Sequence, residues 1–238
     1  MLHQHFTPSS PLLLCAASHL ETQLIIEAAT NDEKMSSSPW QAIHFENFSV
    51  LETGVGKTNA AGAIAKELER ANAANRKYGG VLVMGIAGAL DERLVLGSAV
   101  LADRCILVDE GTPLASAEKD WRSLEEAGFA QVSFPVRKTE WWQELSKQVD
   151  KIGGIATVST ISGLPELAKS YRLRSQAVAE GMEGAAVAQV CARYEIDFAE
   201  LRTISNICGN SNREENPWDF GKSFRRLREL VLYFCNNA

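Results

Sequence analysis

The stretch "FSVLETGVGKTNAAGAIAKELERA", residues 48–71, decides the fold class. Its first six residues are mostly apolar or β-prone and predict a strand, Phe48–Thr53, which runs into a glycine-containing turn. After the turn, Ala60, Ile64, Leu68 and Ala71 recur at helical spacing, with charged residues between them. A strand joined to a helix by a short turn is the repeating unit of α/β proteins.

The same alternation of apolar runs and helix-period segments continues on both sides of this stretch. We predict an α/β fold with a central mixed, largely parallel β-sheet flanked by helices. Residues 1–10 are predicted to be a flexible N-terminal tail, and residues 11–238 a single domain, since no long linker divides them. The further strands are predicted at Pro11–Ala17, Val81–Met84, Ser98–Leu107, Ile155–Thr160 and Phe198–Ser205. The segment "GIAGAL", Gly85–Leu90, is predicted to be a loop.

The amino-acid composition argues against several kinds of binding partner. The formal net charge of -6 argues against a nucleic-acid partner, because phosphate binding needs basic surface. No run approaches the ~20 apolar residues of a membrane span, and the first residues lack the basic start of an export signal. The 5 cysteines form no C-x-x-C pair, which favours a reducing compartment. We therefore predict a cytoplasmic protein without membrane or nucleic-acid partners.

The segment "LETGVGKT" resembles a phosphate-binding P-loop but lacks one of its essential glycines. That motif has a glycine five residues before the one preceding the lysine, and this position is Leu51. Glu52 also lies inside the would-be cradle, where a carboxylate would repel phosphate. We therefore interpret the glycines as residues of a tight strand–helix turn and reject a nucleotide-hydrolysing function.

Ligands of open α/β sheets bind at the carboxyl ends of the strands, and three polar positions fall there. Glu183 opens an apolar helix, where a first-turn acid also complements the helix dipole. Ser18 and Glu21 have the S-x-x-E spacing of a helix capping box. Asn206 ends the last predicted strand, where asparagine is commonly a turn former. Each residue has a simple structural interpretation when taken alone.

Taken together, these segments resemble the nucleoside phosphorylase/nucleosidase superfamily from about Leu12 to the last helix. The step Met182-Glu183-Gly184, followed by the strand end Ser205-Asn206, is the specific part of the likeness, whereas the glycine loops alone are not specific. Within the superfamily the chain is most similar to the futalosine hydrolase branch, which belongs to an alternative menaquinone pathway. Segments Asp109–Gly111 and Pro217–Phe220 add weaker likeness to that branch.

The resemblance implies hydrolysis of a purine nucleoside N-glycosidic bond through an oxocarbenium-like transition state, with futalosine yielding hypoxanthine and dehypoxanthine futalosine. Glu21 matches the carboxylate that activates water, and Glu183 the one that binds the ribose hydroxyls. Asn206 completes the implied catalytic set. The implied substrate-binding positions are Gly54, Ile86, Ala87, Gly88, Thr160, Ile161, Gly181 and Met182. The resemblance implies no metal or organic cofactor, and it implies a homodimer or larger homo-oligomer.

At two places the chain departs from the superfamily pattern, and these departures bear on the expected nucleophile and on the expected base. Segment 83–86 lacks the Arg and Ser with which phosphorylases hold phosphate, so water is favoured as the nucleophile. Adenine-type nucleosidases carry an Asp where this chain has Asn206. An amide has no proton to give up but can donate a hydrogen bond to N7 or O6 of the base. A 6-oxopurine is therefore favoured over a 6-aminopurine.

Several alternatives stay open at this stage. The chain could act as a methylthioadenosine/S-adenosylhomocysteine/aminodeoxyfutalosine nucleosidase, as a purine nucleoside phosphorylase, or as a non-catalytic nucleoside-binding module. Arg213 and Trp218 are candidates to hold the carboxyphenyl end of the substrate, beside the simpler interpretation of a solvated loop and a helix-packing tryptophan. Lys57 is left without a role.

Overall fold

The computed structural model describes residues 10–30, 32, 35–115, 120–212 and 214–237. Eleven strands and six helices lie within these residues. The strands are β1 (Leu12–Ala16), β2 (Ala42–His44), β3 (Phe48–Glu52), β4 (Gly80–Ala89), β5 (Ala99–Leu107), β6 (Gly111–Pro113), β7 (Trp121–Ser123), β8 (Ser133–Pro135), β9 (Lys151–Thr157), β10 (Ala179–Gly181) and β11 (Phe198–Ile207). The helices are α1 (His19–Thr30), α2 (Lys57–Ala73), α3 (Glu140–Ser146), α4 (Pro165–Ser175), α5 (Gly184–Arg193) and α6 (Phe220–Asn237).

The main sheet is mixed and largely parallel, as predicted. Its order is β10-β9-β5-β11-β4-β1-β3-β2, with β8 beside β5. Strand β10 pairs both with β9 and with β4, so β4, β11, β5, β9 and β10 close into a ring. Strands β6 and β7 form a separate two-stranded sheet. The ring brings β10 and β11 to opposite sides of β4, which matters for the cavity described below.

Burial explains why the apolar runs form the centre of the sheet. All five residues of β1 are buried, because the strand lies between β3 and β4 and is covered by helices. Such continuous apolar runs are typical of parallel strands buried on both faces. Helix α5 is buried along most of its length, while α6 has a narrower apolar face that contains Leu227, Val231 and Phe234.

The structure corrects the predicted ends of several strands. The segment Gly85–Leu90, predicted to be a loop, is strand up to Ala89, because β4 continues between β11 and β10. The predicted strand Ile155–Thr160 instead starts at Lys151 and ends at Thr157. The short strands β2, β6, β7, β8 and β10 and the helices α3 and α4 were not predicted, since their few residues carry little periodicity.

Two further expectations concern the N-terminal tail and membrane-spanning helices. Of the predicted tail at residues 1–10, only Ser10 belongs to the described residues. Among the helices that the structure describes, none combines the length and the apolar character that crossing a bilayer requires.

Candidate active site

A cavity of about 360 Å³ lies at the carboxyl ends of β4 and β11, which is a size typical of small-molecule sites. The start of α1, the turn between β3 and α2, strand β10 and the beginning of α6 complete its wall. Glu21, Glu183 and Asn206 all line this one cavity, although 185 residues separate the first from the last. The two carboxylates singled out in the sequence therefore open onto a shared space.

Glu21 is buried and held by three donors. The backbone N–H and the hydroxyl of Ser18 donate to its Oε2 at 3.0 and 2.7 Å, and the N–H of Ile86 donates to Oε1 at 2.9 Å. The N–H of Glu21 donates in return to Ser18 Oγ at 3.3 Å, which completes the predicted capping box. Because Ile86 belongs to β4, the carboxylate is fixed to the cavity wall as well as to its own helix.

Glu183 precedes the first residue of α5 and is also buried. The N–H of Gly56 donates to its Oε1 at 2.9 Å, and Nη2 of Arg202 donates to its Oε2 at 2.8 Å. Gly56 has a φ of +92°, a backbone conformation that glycine adopts without steric cost. The turn that resembles a P-loop thus directs a backbone donor at a carboxylate of this chain rather than at a phosphate.

Arg202, on β11, is the cation that pairs with Glu183. Besides Glu183, its Nε donates to Glu200 Oε1 at 2.8 Å and its Nη1 to the carbonyl of Ile86 at 3.2 Å. Burial by itself lowers the pKa of Arg202, but the nearby carboxylates of Glu200, Glu183 and Glu21 raise it above its ordinary value. The guanidinium remains charged and orients Glu183 toward the cavity.

The arrangement around Gly85 depends on the absence of a side chain. A Cβ atom at this position would lie 2.8 Å from Arg202 Nη1 and closer still to Glu21 Oε1. The sequence lacks a cation in segment 83–86, but the fold brings Arg202 there from another strand. Since Glu183 and Glu200 already bind this arginine, it is engaged by carboxylates of the protein and is not free to bind a phosphate.

Asn206 faces the far side of the cavity, beside Gly88 on β4. The hydroxyl of Ser205 lies 3.0 Å from Asn206 Oδ1 and 3.2 Å from the carbonyl oxygen of Ala87. When Ser205 donates to Oδ1, the amide presents its NH₂ group to the cavity. Asn206 can therefore supply a hydrogen bond donor but no acidic proton.

The remaining predicted positions divide into three groups. The cavity is lined by Ile86, Ala87, Gly88, Ile161, Gly181, Met182 and Trp218. Gly54 and Thr160 are not among the described residues that line it. The carbonyl of Thr160 instead accepts a hydrogen bond from Tyr171 at 3.2 Å. Arg213 lies outside the described residues.

Sequence reasoning missed two charged residues of the cavity, Arg202 and Glu180. In "FAELRTIS" the pair Glu200 and Arg202 lies two residues apart in an apolar strand, so both side chains face the same side of the sheet. Charged residues are almost never fully buried unless they are paired, so this spacing was a usable signal. Glu180 belongs to a three-residue strand, β10, that has no detectable pattern of its own.

Lys57, the first residue of α2, pairs with carboxylates of the segment between β5 and β6. Its Nζ forms an ion pair with Asp109 Oδ1 and lies 3.4 Å from Glu110 Oε1. The other oxygen of Asp109 accepts a hydrogen bond from the N–H of Ser159 at 2.6 Å. The lysine that would bind phosphate in a P-loop is thus held by two carboxylates.

Comparison with known proteins agrees with this geometry. Residues 37–235 match the family model described as "Phosphorylase superfamily". Futalosine hydrolase from Thermus thermophilus is 31% identical over 223 residues, which cover 92% of each chain.

Solved structures have the same fold. A futalosine hydrolase mutant from Helicobacter pylori superimposes with a TM-score of 0.75 at 16% identity, over 96% of this chain and 100% of the other. A methylthioadenosine/S-adenosylhomocysteine nucleosidase from Colwellia psychrerythraea, in complex with adenine, superimposes with a TM-score of 0.72 at 19% identity, over 98% of this chain and 97% of the other. The α/β fold and the predicted resemblance are confirmed. The chain belongs to the phosphorylase superfamily, and within it to the futalosine hydrolase-like nucleosidases.

Proposed function

We propose that this protein hydrolyses the N-glycosidic bond of a 6-oxopurine nucleoside, with futalosine as the substrate and hypoxanthine as the released base. The observation that carries the proposal is the convergence of Glu21, Glu183 and a neutral amide, Asn206, on one cavity. The similarity to futalosine hydrolases over 92% of the chain supports the choice of substrate.

The chemistry follows from the two carboxylates. As the glycosidic bond breaks, positive charge develops on the ribose ring, and a fixed carboxylate at the ribose hydroxyls stabilises it. Glu183 suits this role because Gly56 and Arg202 hold its two oxygens. A second carboxylate can take the proton of the attacking water. Glu21 suits that role, since its donors from Ser18 and Ile86 fix it at the wall of the same cavity.

The departing base takes the electron pair of the broken bond. A donor at N7 or O6 stabilises the negative charge that develops there, and Asn206 is the side chain that can supply it. In a 6-oxopurine this charge spreads onto the 6-oxo oxygen, so a hydrogen bond suffices where an adenine-type leaving group gains from protonation. The amide at position 206 therefore supports a 6-oxopurine substrate.

The decisive test is release of hypoxanthine from futalosine by the purified protein, followed chromatographically with and without inorganic phosphate. We expect equal rates in both arms and a slower reaction with the 6-amino counterpart of futalosine. A requirement for phosphate would instead identify a phosphorylase, and a preference for the 6-amino compound would identify an adenine-type nucleosidase. Binding without release of base would identify a non-catalytic module.

The variant Asn206→Asp should shift the substrate preference toward the 6-amino compound. A carboxyl group can protonate N7, and a positioned general acid contributes about 10²–10⁴-fold. We expect the ratio of kcat/KM for the 6-amino over the 6-oxo substrate to rise by about 10²-fold. The matched control is Asn210→Asp, in an exposed part of the next loop, which should keep the wild-type ratio. An unchanged ratio in Asn206→Asp would contradict the assignment of Asn206 to the base.

The variant Glu183→Gln should lose kcat by about 10²–10³-fold, the cost of removing one electrostatic stabiliser of a transition state. Glutamine has nearly the same size, but its NH₂ group is a donor, so either Gly56 or Arg202 loses its acceptor. Steady-state kinetics on futalosine measures the effect, with thermal unfolding as the check of folding. A kcat within about threefold of wild type would show that this carboxylate only begins helix α5.

A further inference from the structure

Glu180 is a third carboxylate that lines the cavity, beside Glu21 and Glu183. It lies on β10, opposite Gly88 of β4, while Asn206 of β11 lies opposite the same glycine on the other side. A Cβ atom at Gly88 would lie 3.4 Å from Glu180 Cγ and 3.2 Å from Asn206 Nδ2. Glu180 and Asn206 therefore converge over the backbone at Gly88, where the Cys208 thiol also packs.

Ser162 holds Glu180 in place. Its N–H donates to Glu180 Oε1 at 3.0 Å, and its hydroxyl donates to Oε2 at 2.5 Å. Burial raises the pKa of Glu180 above its usual value, and hydrogen bonds from Ser162 and the Cys208 thiol offset only part of this shift. No arginine, lysine or histidine of the described chain forms an ion pair with Glu180.

The bonds from Ser162 and the Cys208 thiol still leave part of this carboxylate unused, since an ionised carboxylate offers about four acceptor positions. Glu180 is only 3% exposed, so water reaches it only through the cavity that it lines. A ligand that fills the cavity displaces this water and must supply a donor in its place, because an unpaired buried acceptor is costly.

We infer that Glu180 is a specificity-determining residue that accepts a hydrogen bond from N1–H of a 6-oxopurine. This inference rests on the proposed function, and it adds the residue that recognises N1 of the base. Strands lie about 4.8 Å apart, so the backbones of Glu180 and Asn206, two strand spacings apart, are separated by roughly 10 Å. Their side chains approach each other over Gly88 and can contact neighbouring atoms on one side of a bound base. A purine with Asn206 at N7 or O6 presents its N1 side toward Glu180.

The two classes of purine differ in whether N1 donates or accepts a hydrogen bond, and a carboxylate distinguishes the two cases. A 6-oxopurine carries a proton on N1 and donates, whereas N1 of a 6-aminopurine is an acceptor. Two acceptors facing each other leave both unpaired, and sites built around a hydrogen bond reject analogues that cannot form it. Glu180 and Asn206 thus select the same class of base through neighbouring atoms.

The test is the variant Glu180→Gln, which keeps the size of the side chain and can donate to an unprotonated N1. Calorimetry with the free bases hypoxanthine and adenine measures recognition independently of hydrolysis. In the wild type we expect tighter binding of hypoxanthine. In Glu180→Gln the hypoxanthine-to-adenine affinity ratio should fall by about 10- to 100-fold, and the kcat/KM ratio for futalosine over its 6-amino counterpart should fall in parallel.

The matched control is Glu67→Gln. Glu67 is equally buried and accepts a hydrogen bond from Tyr78 at 2.7 Å, but it does not line the cavity among the described residues. This control should keep the wild-type ratios. An unchanged affinity ratio in a folded Glu180→Gln variant would overturn the inference about Glu180. The proposed function is tested separately, by hypoxanthine release from futalosine with the wild-type protein. Should Glu180→Gln not fold, wild-type protein that binds 1-methylhypoxanthine as tightly as hypoxanthine would overturn it instead.

Discussion

Replacing Glu21 with glutamine should lower kcat by about 10²–10⁴-fold, the usual contribution of a positioned general base. The variant separates the two interpretations of this residue, because glutamine is an accepted partner of serine in a capping box. If Glu21 only caps α1, Glu21→Gln keeps the structure and the activity. If it activates water, the structure survives and the activity is lost, since an amide cannot take the proton.

The measurement is the rate of hypoxanthine release from futalosine at saturating substrate, together with thermal unfolding of the same preparation. We expect a modest fall of the melting temperature, because the bonds from Ser18 can be kept while the N–H of Ile86 loses its acceptor. The control is Gln23→Glu, which changes an amide to a carboxylate at a partly buried position of the same helix that does not line the cavity among the described residues. A near-wild-type kcat in Glu21→Gln would contradict the role in activating water and would show that Glu21 serves only to cap α1.

Replacing Arg202 with methionine should destabilise the protein by about 3–5 kcal/mol, the typical cost of removing one partner of a buried ion pair. Arg202 binds Glu200 and Glu183 at 2.8 Å each, and all three side chains are almost inaccessible to solvent. Without the guanidinium these carboxylates lose their compensating charge. Because a domain of this size loses about 2–4 °C for each kcal/mol, the melting temperature should fall by roughly 6–20 °C.

Differential scanning calorimetry of Arg202→Met provides the measurement, and two further variants test the cause. Arg172→Met removes an exposed arginine that is paired with the exposed Glu92, and surface pairs contribute about 0–1 kcal/mol. The double variant Arg202→Met/Glu200→Gln should recover part of the loss, because one uncompensated carboxylate is then gone. A melting temperature of Arg202→Met equal to that of Arg172→Met would contradict this account of the cluster.

The candidate site could be predicted in part from the sequence because some of its contacts are local. The capping box of Ser18 and Glu21 forms within one helical turn, so its spacing was sufficient to predict it. Glu183 was found through the apolar helix that follows it. The bond from Ile86 to Glu21 spans 65 residues, and the bond from Gly56 to Glu183 spans 127. No local pattern encodes such pairings.

Strand β4 shows how tertiary structure overrides a local pattern. Its second half, "GIAGA", is rich in glycine and alanine, residues that are depleted in strands, and was therefore predicted to be a loop. It is extended because β11 and β10 supply hydrogen bonds on both sides. The small residues leave the space that Glu21, Arg202, Asn206 and Glu180 occupy around Gly85 and Gly88.

The sequence by itself determined the α/β class, because apolar periodicity is carried by neighbouring residues. The superfamily, and with it Glu21, Glu183 and Asn206, followed from the resemblance of short motifs to a known family. Only the tertiary structure decided that Arg202 pairs with Glu183 and Glu200, and that Glu180 lies opposite Asn206 across β4. The physical reason is that these side chains meet through strand pairing in a closed ring, and pairing partners far apart in the chain are chosen by the packing of the whole sheet.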